Sequence, residues 1–401
     1  HLEWCVRRVG LSRAALLYRS GPVQTLTRAA TGSQRPNTCR TRPMNNSHQP
    51  LLTIDLTAIA ANWRHLNGLS RLGSAAVIKA DAYGLGMEPC ARALHTAGAK
   101  RFVVATLDEG RSLRESLGEG IWIGVLEGLS SVSAFKQHNL TLVLNTLEQV
   151  RAWAGQDEAV IHVDTGMNRL GVLPEELVEA VSSSTWMGAQ SAMLMSHLAS
   201  AEEPENPSNK AQLTAFQAAM TRAGNRLFTP CFINSSGHFL GSDFVDIGLG
   251  RPGLALYGAN PTPSAPQNPM TPAVQLHAPL IQVRTVEAGA PVGYGGTWVA
   301  QRRTHLGVIA LGYADGWPRA ASDRLSVRLG ETLCQQVGRV SMDTTVIDLT
   351  DVPASARRVG SMVDVIGGDL TLERFAEGAN TINYEILTSL SRRAKRAYLS
   401  A

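Results

Sequence analysis

A single lysine, Lys79, follows a short apolar run in the stretch AAVIKADAYGLG, residues 75–86. An aspartate, a tyrosine and two glycines come within the next seven residues. A lysine beside apolar walls loses its proton more easily than one in water, and the unprotonated amine is a nucleophile. A lone lysine after a strand is more often a solvated loop residue. Its interpretation therefore depends on which other groups can lie near it.

Other polar groups follow later apolar runs in the same way. Each has a structural explanation when taken singly, because arginines form ion pairs and a histidine at a strand end is usually a core residue. No carboxylate cluster with histidine or cysteine stands at metal-ligand spacing, which argues against a metal site. The groups that follow the runs are Lys79, Asp164, Asn168, Arg169, His197, Asn234, Ser235, Ser236 and Arg251.

Taken together, these groups favour a Schiff base between Lys79 and pyridoxal phosphate. Arg251 would then meet the pyridine nitrogen of that cofactor. The backbone amides of PGL (252–254) and NSSG (234–237) would hold its phosphate.

The elements that carry these groups alternate along the chain. Short apolar runs and amphipathic helical stretches follow one another from Leu51 onwards, with Thr57 as the expected N-cap of the first helix. This alternation is typical of a (β/α)8 TIM-like barrel, whose active site lies at the C-terminal ends of the strands. The eighth unit is the weakest, because its connection is short and rich in glycine. The predicted strands are 75–80, 101–106, 121–127, 141–146, 159–164, 190–197, 230–235 and 244–249.

The pattern changes after about Thr271. Five prolines in residues 260–272 indicate a boundary loop, and short strands with tight turns follow it without helices. A final helix is predicted over residues 383–399. The predicted α/β architecture is therefore a pyridoxal-phosphate-binding barrel, 51–272, followed by a mostly-β C-terminal domain, 273–401.

The first 43 residues differ from the rest in composition. They hold eight arginines, no lysine and one acid, so the formal charge of +4 hides a mildly acidic body. We interpret residues 1–43 as a disordered leader of translated upstream or vector-derived sequence. An organellar transit peptide is the alternative, and a secretory signal is disfavoured because its apolar stretch is too short. Scattered cysteines indicate a reduced, cytoplasmic protein, and we expect no nucleic-acid or membrane partner.

Nine blocks of the sequence resemble the alanine racemase family, in that family's order, across residues 51–398. The first, VIKADAYGLG, is similar to the VKANAYGHG cofactor motif of these enzymes. Any one block is weak, whereas all of them in order are specific. The others are VDTGMNRLG, SHLASAEE, INSSG, GRPGLALYG, VGYGGTW, LGYADGWPR, VGRVSMD and NYEILTSLSRRAKRAY.

The resemblance implies a role for each matched residue. Lys79 would bind pyridoxal phosphate and act as one acid/base group, and Tyr294 of the partner subunit in a homodimer with shared sites would be the other. Arg251 would contact the pyridine nitrogen and Arg169 the phenolate oxygen, with His197 beside the Tyr294–Arg251 network. The groups around the phosphate would be Tyr83, Asn234, Ser235, Gly253, Leu254 and Tyr384. The substrate-binding residues would be Arg169, Tyr313, Met342 and Asp343.

Three positions depart from the family pattern. His162 stands where many members have a lysine that carries a carbamate and orients the arginine. Arg169 must then be held otherwise, by a neutral His162 or by a bound anion. Asp81 replaces an asparagine and Leu85 a histidine, and we expect both changes to tune the site without altering its chemistry.

The resemblance implies an alanine racemase of the bacterial cytoplasm that interconverts L- and D-alanine, for peptidoglycan or for alanine catabolism. Moving the α-proton between opposite faces requires two bases, which Lys79 and Tyr294 would supply. One alternative is a racemase of broader specificity that also accepts serine. Another is a non-catalytic pyridoxal-phosphate carrier, which would have no use for a second domain bearing Tyr294.

Overall fold

The computed structural model describes residues 25–27, 49–153, 158–183, 192–224 and 228–400. In this part of the chain seven strands form one sheet, each parallel to the next along the sequence. The expected barrel with its mostly-β companion domain is therefore the observed fold class. The strands are shorter than predicted, and residues 190–191 of the sixth prediction lie outside the described residues. Their bounds are Ala76–Val77, Arg101–Val104, Trp122–Val125, Thr141–Leu144, Val160–His162, Met193–Met195 and Thr229–Cys231.

The predicted eighth strand, 244–249, is wrong over most of its length. Its first residues belong to a helical turn, Ser242–Val245, and single-residue bridges at Leu249 and Gly250 close the sheet instead. Leu249 N–H donates to Pro230 O (2.9 Å), and Ala75 N–H donates to Gly250 O (2.8 Å). A Cβ on Gly248 would lie 2.1 Å from Pro230 O, so the backbones pass too closely there for side chains.

Helices cover the outside of this sheet. The first begins with Asp55 as its N-cap, not Thr57, because Asp55 Oδ1 accepts a hydrogen bond from Ala58 N–H (2.9 Å). The helices are Leu56–Leu69, Met87–Thr96, Leu107–Leu117, Val132–Gln137, Leu147–Trp153, Leu177–Ser182 and Pro207–Ala223.

The second sheet contains nine of the described strands. They include one that precedes the barrel in the sequence, Leu51–Asp55, and the last described strand, Lys395–Ser400. Leu51–Asp55 pairs antiparallel with the long strand Val274–Val286 and parallel with Lys395–Ser400. One continuous cluster of buried apolar side chains joins this sheet to the barrel. The other strands are Thr25–Thr27, Thr304–Ile309, Ser326–Leu329, Thr332–Gln335, Thr345–Asp348 and Met362–Ile366, and a separate pair is formed by Pro291–Val292 and Trp298–Val299.

Two expectations for the C-terminal region are wrong. The helix predicted over 383–399 ends at Ser389, and residues 395–400 form a strand because their backbone pairs with Leu51–Asp55. A further helix, Leu372–Gly378, occurs where only strands were expected. Thr371 caps it by accepting a hydrogen bond from Arg374 N–H (3.2 Å).

Of the leader, only Thr25–Thr27 is described, as an edge strand beside Lys395–Ser400. The prediction for the rest of residues 1–43 lies outside the described residues. No helix in the described ranges is long and apolar enough to cross a bilayer.

The segment after the first barrel strand differs most from expectation. Lys79 does not end the strand, which stops at Val77, but begins a turn, Lys79–Tyr83. Residues 80–83 all have φ between 52° and 56°, and Gly84 continues with φ 83°. A left-handed conformation costs about 1–2 kcal/mol per non-glycine residue, so tertiary contacts must hold this turn.

Gly84 shows how closely the turn packs against the second domain. A Cβ there would lie 2.5 Å from Leu387 O, in the helix Asn383–Ser389. We expect Gly84→Ala to lower the free energy of unfolding by about 2–4 kcal/mol, from left-handed strain plus this overlap. Gly330→Ala is the control, because Gly330 also has a positive φ (61°) but open space around it. It should lose only about 1 kcal/mol in urea unfolding. Equal losses would show that Gly84 is not tightly packed.

Candidate active site

A cavity of about 480 Å³ lies at the C-terminal ends of the barrel strands. Every residue expected to bind the cofactor contributes to its wall. These residues come from distant parts of the chain, and the barrel topology brings their strand ends together. They are Lys79, Tyr83, Arg169, His197, Asn234, Ser235, Arg251, Gly253, Leu254 and Tyr384.

Arg251 is buried, and its terminal nitrogens are already occupied. Nη1 donates to Cys231 O (2.7 Å) and contacts Cys231 Sγ (3.0 Å). Nη2 donates to Ser196 O (2.6 Å) and to His197 Nδ1 (3.2 Å). Among the described residues no acceptor bonds to Nε, so Nε is the donor that Arg251 keeps for a ligand.

Two histidines in the cavity wall are held in opposite tautomers. Because arginine can only donate, His197 Nδ1 accepts from Arg251, and the ring proton lies on Nε2. Asn145 Nδ2 donates to Leu126 O (3.0 Å), so Asn145 Oδ1 is the acceptor and His162 Nδ1 the donor of their 2.8 Å bond. His197 can therefore donate through Nε2, whereas His162 keeps an unprotonated Nε2.

Both imidazoles are held neutral. Burial, and then the charge of Arg251, lower the pKa of His162 to about 4 and hold the pKa of His197 well below its usual range. The site thus has arginine cations beside uncharged histidines, which leaves its positive charge available to an anionic ligand.

The amine of Lys79 is under the same influences. Burial is the largest cause that lowers the pKa of Lys79, and the charges of Arg169 and Arg251 lower it further. The carboxylate of Glu109 acts in the opposite direction. A larger fraction of Lys79 is therefore unprotonated than of a lysine in water, as a nucleophile or base requires.

The end of the cavity near Tyr83 fits a phosphate. Ser235 Oγ accepts from the N–H groups of Gly253 (3.0 Å) and Ala255 (3.2 Å), which fixes the loop. Leu254 begins a short helical turn, so its N–H has no partner within that turn. A Cβ on Gly253 would lie 2.2 Å from Tyr83 Oη, so only glycine leaves room for this hydroxyl. The donors present, with Lys79 and Arg251, fit pyridoxal phosphate.

Arg169 stands on a loop that folds back on its own strand. Asp164 Oδ1 accepts from the N–H groups of residues 166–168, at 2.9–3.2 Å. Val172 N–H then donates a hydrogen bond to His162 O (2.8 Å), which joins the end of the loop to the strand. Asp164, a group that the sequence placed near the site, therefore shapes the loop that carries Arg169. Asn168 contributes a left-handed residue to it (φ 55°).

The other expected site residues do not reach this cavity. Tyr294 is 66% exposed, Met342 52% and Tyr313 42%. Tyr313 N–H donates to Ser341 O (3.0 Å), which ties Tyr313 to the Met342 segment. The carboxylate of Asp343, the fourth of these residues, pairs with Arg393 (2.8 Å). They lie on the second domain, with their side chains open to solvent.

Sequence reasoning missed several residues near Lys79. Asn145 and Glu202 line the cavity, and Glu109 accepts a hydrogen bond from Ala80 N–H. Thr106 and Glu109 stand at the spacing of a capping box, a signal that identifies a helix start but not its link to Lys79. Nothing in the local sequence indicates Asn145 or Glu202.

Asp81 and Leu85, the two residues near Lys79 that depart from the family pattern, do not line the cavity. Asp81 Oδ1 accepts from Met87 N–H (2.7 Å), and Asp81 Oδ2 pairs with Arg392 (3.1 Å). Leu85 is fully buried, where an apolar side chain packs without needing a polar partner.

Two family models match the chain. "Alanine racemase, N-terminal domain" covers residues 54–261, and "Alanine racemase, C-terminal domain" covers residues 273–398. Together they span the barrel and most of the second sheet.

Individual proteins agree with the family models. A catabolic alanine racemase of Agrobacterium fabrum is 44% identical over 361 residues, 87% of this chain and 92% of that protein. The structure of an alanine racemase from Bartonella henselae with covalently bound pyridoxal phosphate has a TM-score of 0.81 and 35% identity, with 88% of this chain and 99% of that chain covered. The biosynthetic alanine racemase of Pseudomonas aeruginosa has a TM-score of 0.81 and 33% identity, with 88% and 100% covered.

The neutral His162 predicts a pH dependence of stability. Its pKa is lower in the fold (about 4) than in the unfolded chain (about 6.5), so stability is full above pH 6.5 and is lost as pH falls towards 4. Between pH 7 and pH 5 this one group should remove about 2 kcal/mol. The control is His162→Gln, whose amide can still donate to Asn145 but cannot titrate. In urea unfolding it should lose less stability over that range than the wild type. An identical loss would show that His162 accepts a proton in the fold.

Proposed function

The chain belongs to the alanine racemase family, which makes it a pyridoxal-phosphate enzyme that interconverts L- and D-alanine, and we propose that Lys79 and Tyr294 are its two proton-transfer groups. The observation that carries this proposal is one cavity whose wall contains Lys79, with its lowered pKa, together with Arg251, Tyr83 and the Gly253–Leu254 loop. Racemisation requires two bases, and of the two proposed groups Lys79 lines the cavity in the described chain whereas Tyr294 does not.

Pyridoxal phosphate, when bound, makes the α-proton of an attached amino acid acidic by delocalising negative charge. Lys79 would hold it at one end of the cavity. The N–H of Leu254, the Tyr83 hydroxyl and Tyr384 would hold its phosphate. Arg251 Nε would donate to its ring nitrogen, and a guanidinium keeps that proton at all relevant pH values.

Lys79 Nζ would remove the α-proton on one face of the substrate and return it there in the reverse direction. Two features support this assignment. Burial and neighbouring arginines favour the unprotonated amine, and the turn after Lys79 fixes the start of its side chain. Arg169, which also lines the cavity, would add positive charge for the cofactor phenolate and the substrate carboxylate.

Tyr294 Oη would serve the opposite face, and we propose that it comes from a second copy of the chain. Its exposure in one chain supports this, because a base must lie in a site that excludes water. Tyr313 and Met342 are exposed on the same domain and would complete the substrate entrance. In an isologous dimer each of the two sites would then contain residues from both chains.

We further propose that the enzyme acts in the cytoplasm, which the buried, unpaired thiols of Cys90, Cys231 and Cys334 support. It would supply D-alanine for peptidoglycan, or it would serve alanine catabolism. Relatives named as biosynthetic and as catabolic both resemble this chain.

The shared site is tested by mixing Lys79→Ala protein with Tyr294→Phe protein after dissociation. Each variant alone should be nearly inactive, because each lacks one proton-transfer group. In a mixed dimer one site carries both defects and the other carries neither. Random exchange makes about half of the dimers mixed, so about a quarter of the wild-type activity should return.

Alanine racemisation is the assay, and native mass spectrometry verifies that chains have exchanged. Each variant dissociated and remixed with itself is the control, and it should stay inactive. Verified exchange without recovered activity would show that Tyr294 acts within its own chain or is not the second base.

A further inference from the structure

Glu109 lies half-buried in the first turn of the helix Leu107–Leu117. Thr106 Oγ1 accepts a hydrogen bond from Glu109 N–H (3.3 Å), and Glu109 Oε2 accepts one from Thr106 N–H (3.3 Å). Oε2 also accepts from Ala105 N–H (2.7 Å). These bonds satisfy N–H groups that the start of a helix leaves without partners. One carboxylate oxygen is therefore used at the start of its own helix.

The other oxygen, Oε1, accepts from Ala80 N–H at 2.7 Å. Ala80 follows Lys79 and is the first left-handed residue of the turn (φ 52°). Within the turn, Ala82 N–H donates to Ile78 O and Gly84 N–H donates to Ala80 O. Ala80 N–H thus takes its acceptor from outside the turn. Glu109 fixes the peptide plane between Lys79 and Ala80, and with it the direction in which the Lys79 side chain leaves the backbone.

The charge of Glu109 also reaches the amine. Burial, Arg169 and Arg251 lower the pKa of Lys79, whereas Glu109 raises it. Asp81, the carboxylate within the turn itself, accepts a hydrogen bond from Met87 N–H and pairs with Arg392. Glu109 is therefore the acid that opposes the two arginines at Lys79.

We propose that Glu109 is a positioning residue for the racemase reaction, which holds the left-handed turn after Lys79 through Ala80 N–H and balances the positive charge around the amine. This inference rests on the proposed function only in taking Lys79 as the residue that carries the cofactor. It gives one carboxylate two tasks, at the start of a helix and at the catalytic lysine.

Three variants separate these tasks. Glu109→Gln removes the charge and keeps one acceptor oxygen, and Glu109→Ala removes the charge and both bonds. Thr106→Ala is the matched control, because it weakens the same helix start while leaving the bond from Glu109 to Ala80 intact.

The main measurement is the rate at which the full-length, cofactor-free chain captures pyridoxal phosphate, as a function of pH. Capture joins Lys79 Nζ to the aldehyde carbon, and the aldehyde oxygen leaves as water. The rate therefore reports both the position of the amine and the pH at which it loses its proton. The kcat and KM for L-alanine are measured on the same proteins with cofactor bound.

Glu109→Ala should slow capture and lower kcat by roughly tenfold, with KM changed by less than about twofold. Thr106→Ala should change neither rate by more than about twofold. In Glu109→Gln the pH midpoint of capture should move to lower pH, because the negative charge that favours the protonated amine is gone. Loosening of the turn alone would expose the amine and move that midpoint to higher pH.

Equal losses in Glu109→Ala and Thr106→Ala would overturn the proposal, because Glu109 would then act only on its helix. Wild-type capture in Glu109→Ala, or a midpoint that stays or rises in Glu109→Gln, would overturn it as well. If Glu109→Ala fails to fold, the Glu109→Gln midpoint alone decides.

Borohydride reduction of the wild-type holoenzyme followed by peptide mapping tests the underlying assignment separately. A pyridoxyl group on Lys79 is the expected result. A group on any of the other four lysines of the chain would contradict the proposed function itself, whatever the Glu109 variants show.

Discussion

The left-handed turn that begins at Lys79 is the constraint on which the site depends. Four non-glycine residues in succession adopt a conformation that isolated chains avoid. Three hydrogen bonds hold this turn and the residues that follow it. Ala80 N–H donates to Glu109, Met87 N–H donates to Asp81, and the Tyr398 hydroxyl donates to Leu85 O (2.9 Å). The turn is stable only inside the complete fold, so the position of the lysine amine depends on both domains.

This arrangement also places the strand Lys395–Ser400 beside the turn that begins at Lys79. Tyr398 lies on the strand Lys395–Ser400, which pairs with Leu51–Asp55 in the second sheet. A Cβ on Gly86 would lie 2.2 Å from the Tyr398 hydroxyl, so strand and turn are in close contact. The second domain therefore supports the turn of its own barrel, in addition to the role that we propose for Tyr294 in a partner's site.

The electrostatics of the cavity follow from the same packing. Arg251 is buried and bound to two backbone carbonyls, so it cannot turn away from the cavity. Burial, and then the charge of Arg251, lower the pKa of His162 and His197 and keep them neutral. Burial also lowers the pKa of Lys79, and the charges of Arg169 and Arg251 lower it further. His162 donates to Asn145 and cannot carry a carbamate. No hydrogen bond between His162 and Arg169 occurs among the described residues, so the way in which Arg169 is held stays a prediction.

The sequence predicted the fold class and the groups that meet at the strand ends, because hydrophobic alternation reports burial and parallel strands end at a common edge. It did not predict the left-handed turn, since propensities assign Ala, Asp and Tyr to right-handed or extended backbone. Residues 395–400 have a helix-like composition, and only pairing with Leu51–Asp55 makes them a strand. The link between Glu109 and Ala80 joins residues 29 apart and leaves no local signal.

Hydrogen exchange of the peptide spanning residues 80–87 in the full-length enzyme tests the central claim most directly. In the structure the N–H groups of Ala80, Ala82, Gly84 and Met87 all have acceptors. Our account predicts that they exchange at least roughly 10³-fold more slowly than in an unstructured peptide of the same sequence. Exchange at the rate of that peptide would show that the turn opens freely, and the fixed lysine that the rest of the site relies on would be contradicted.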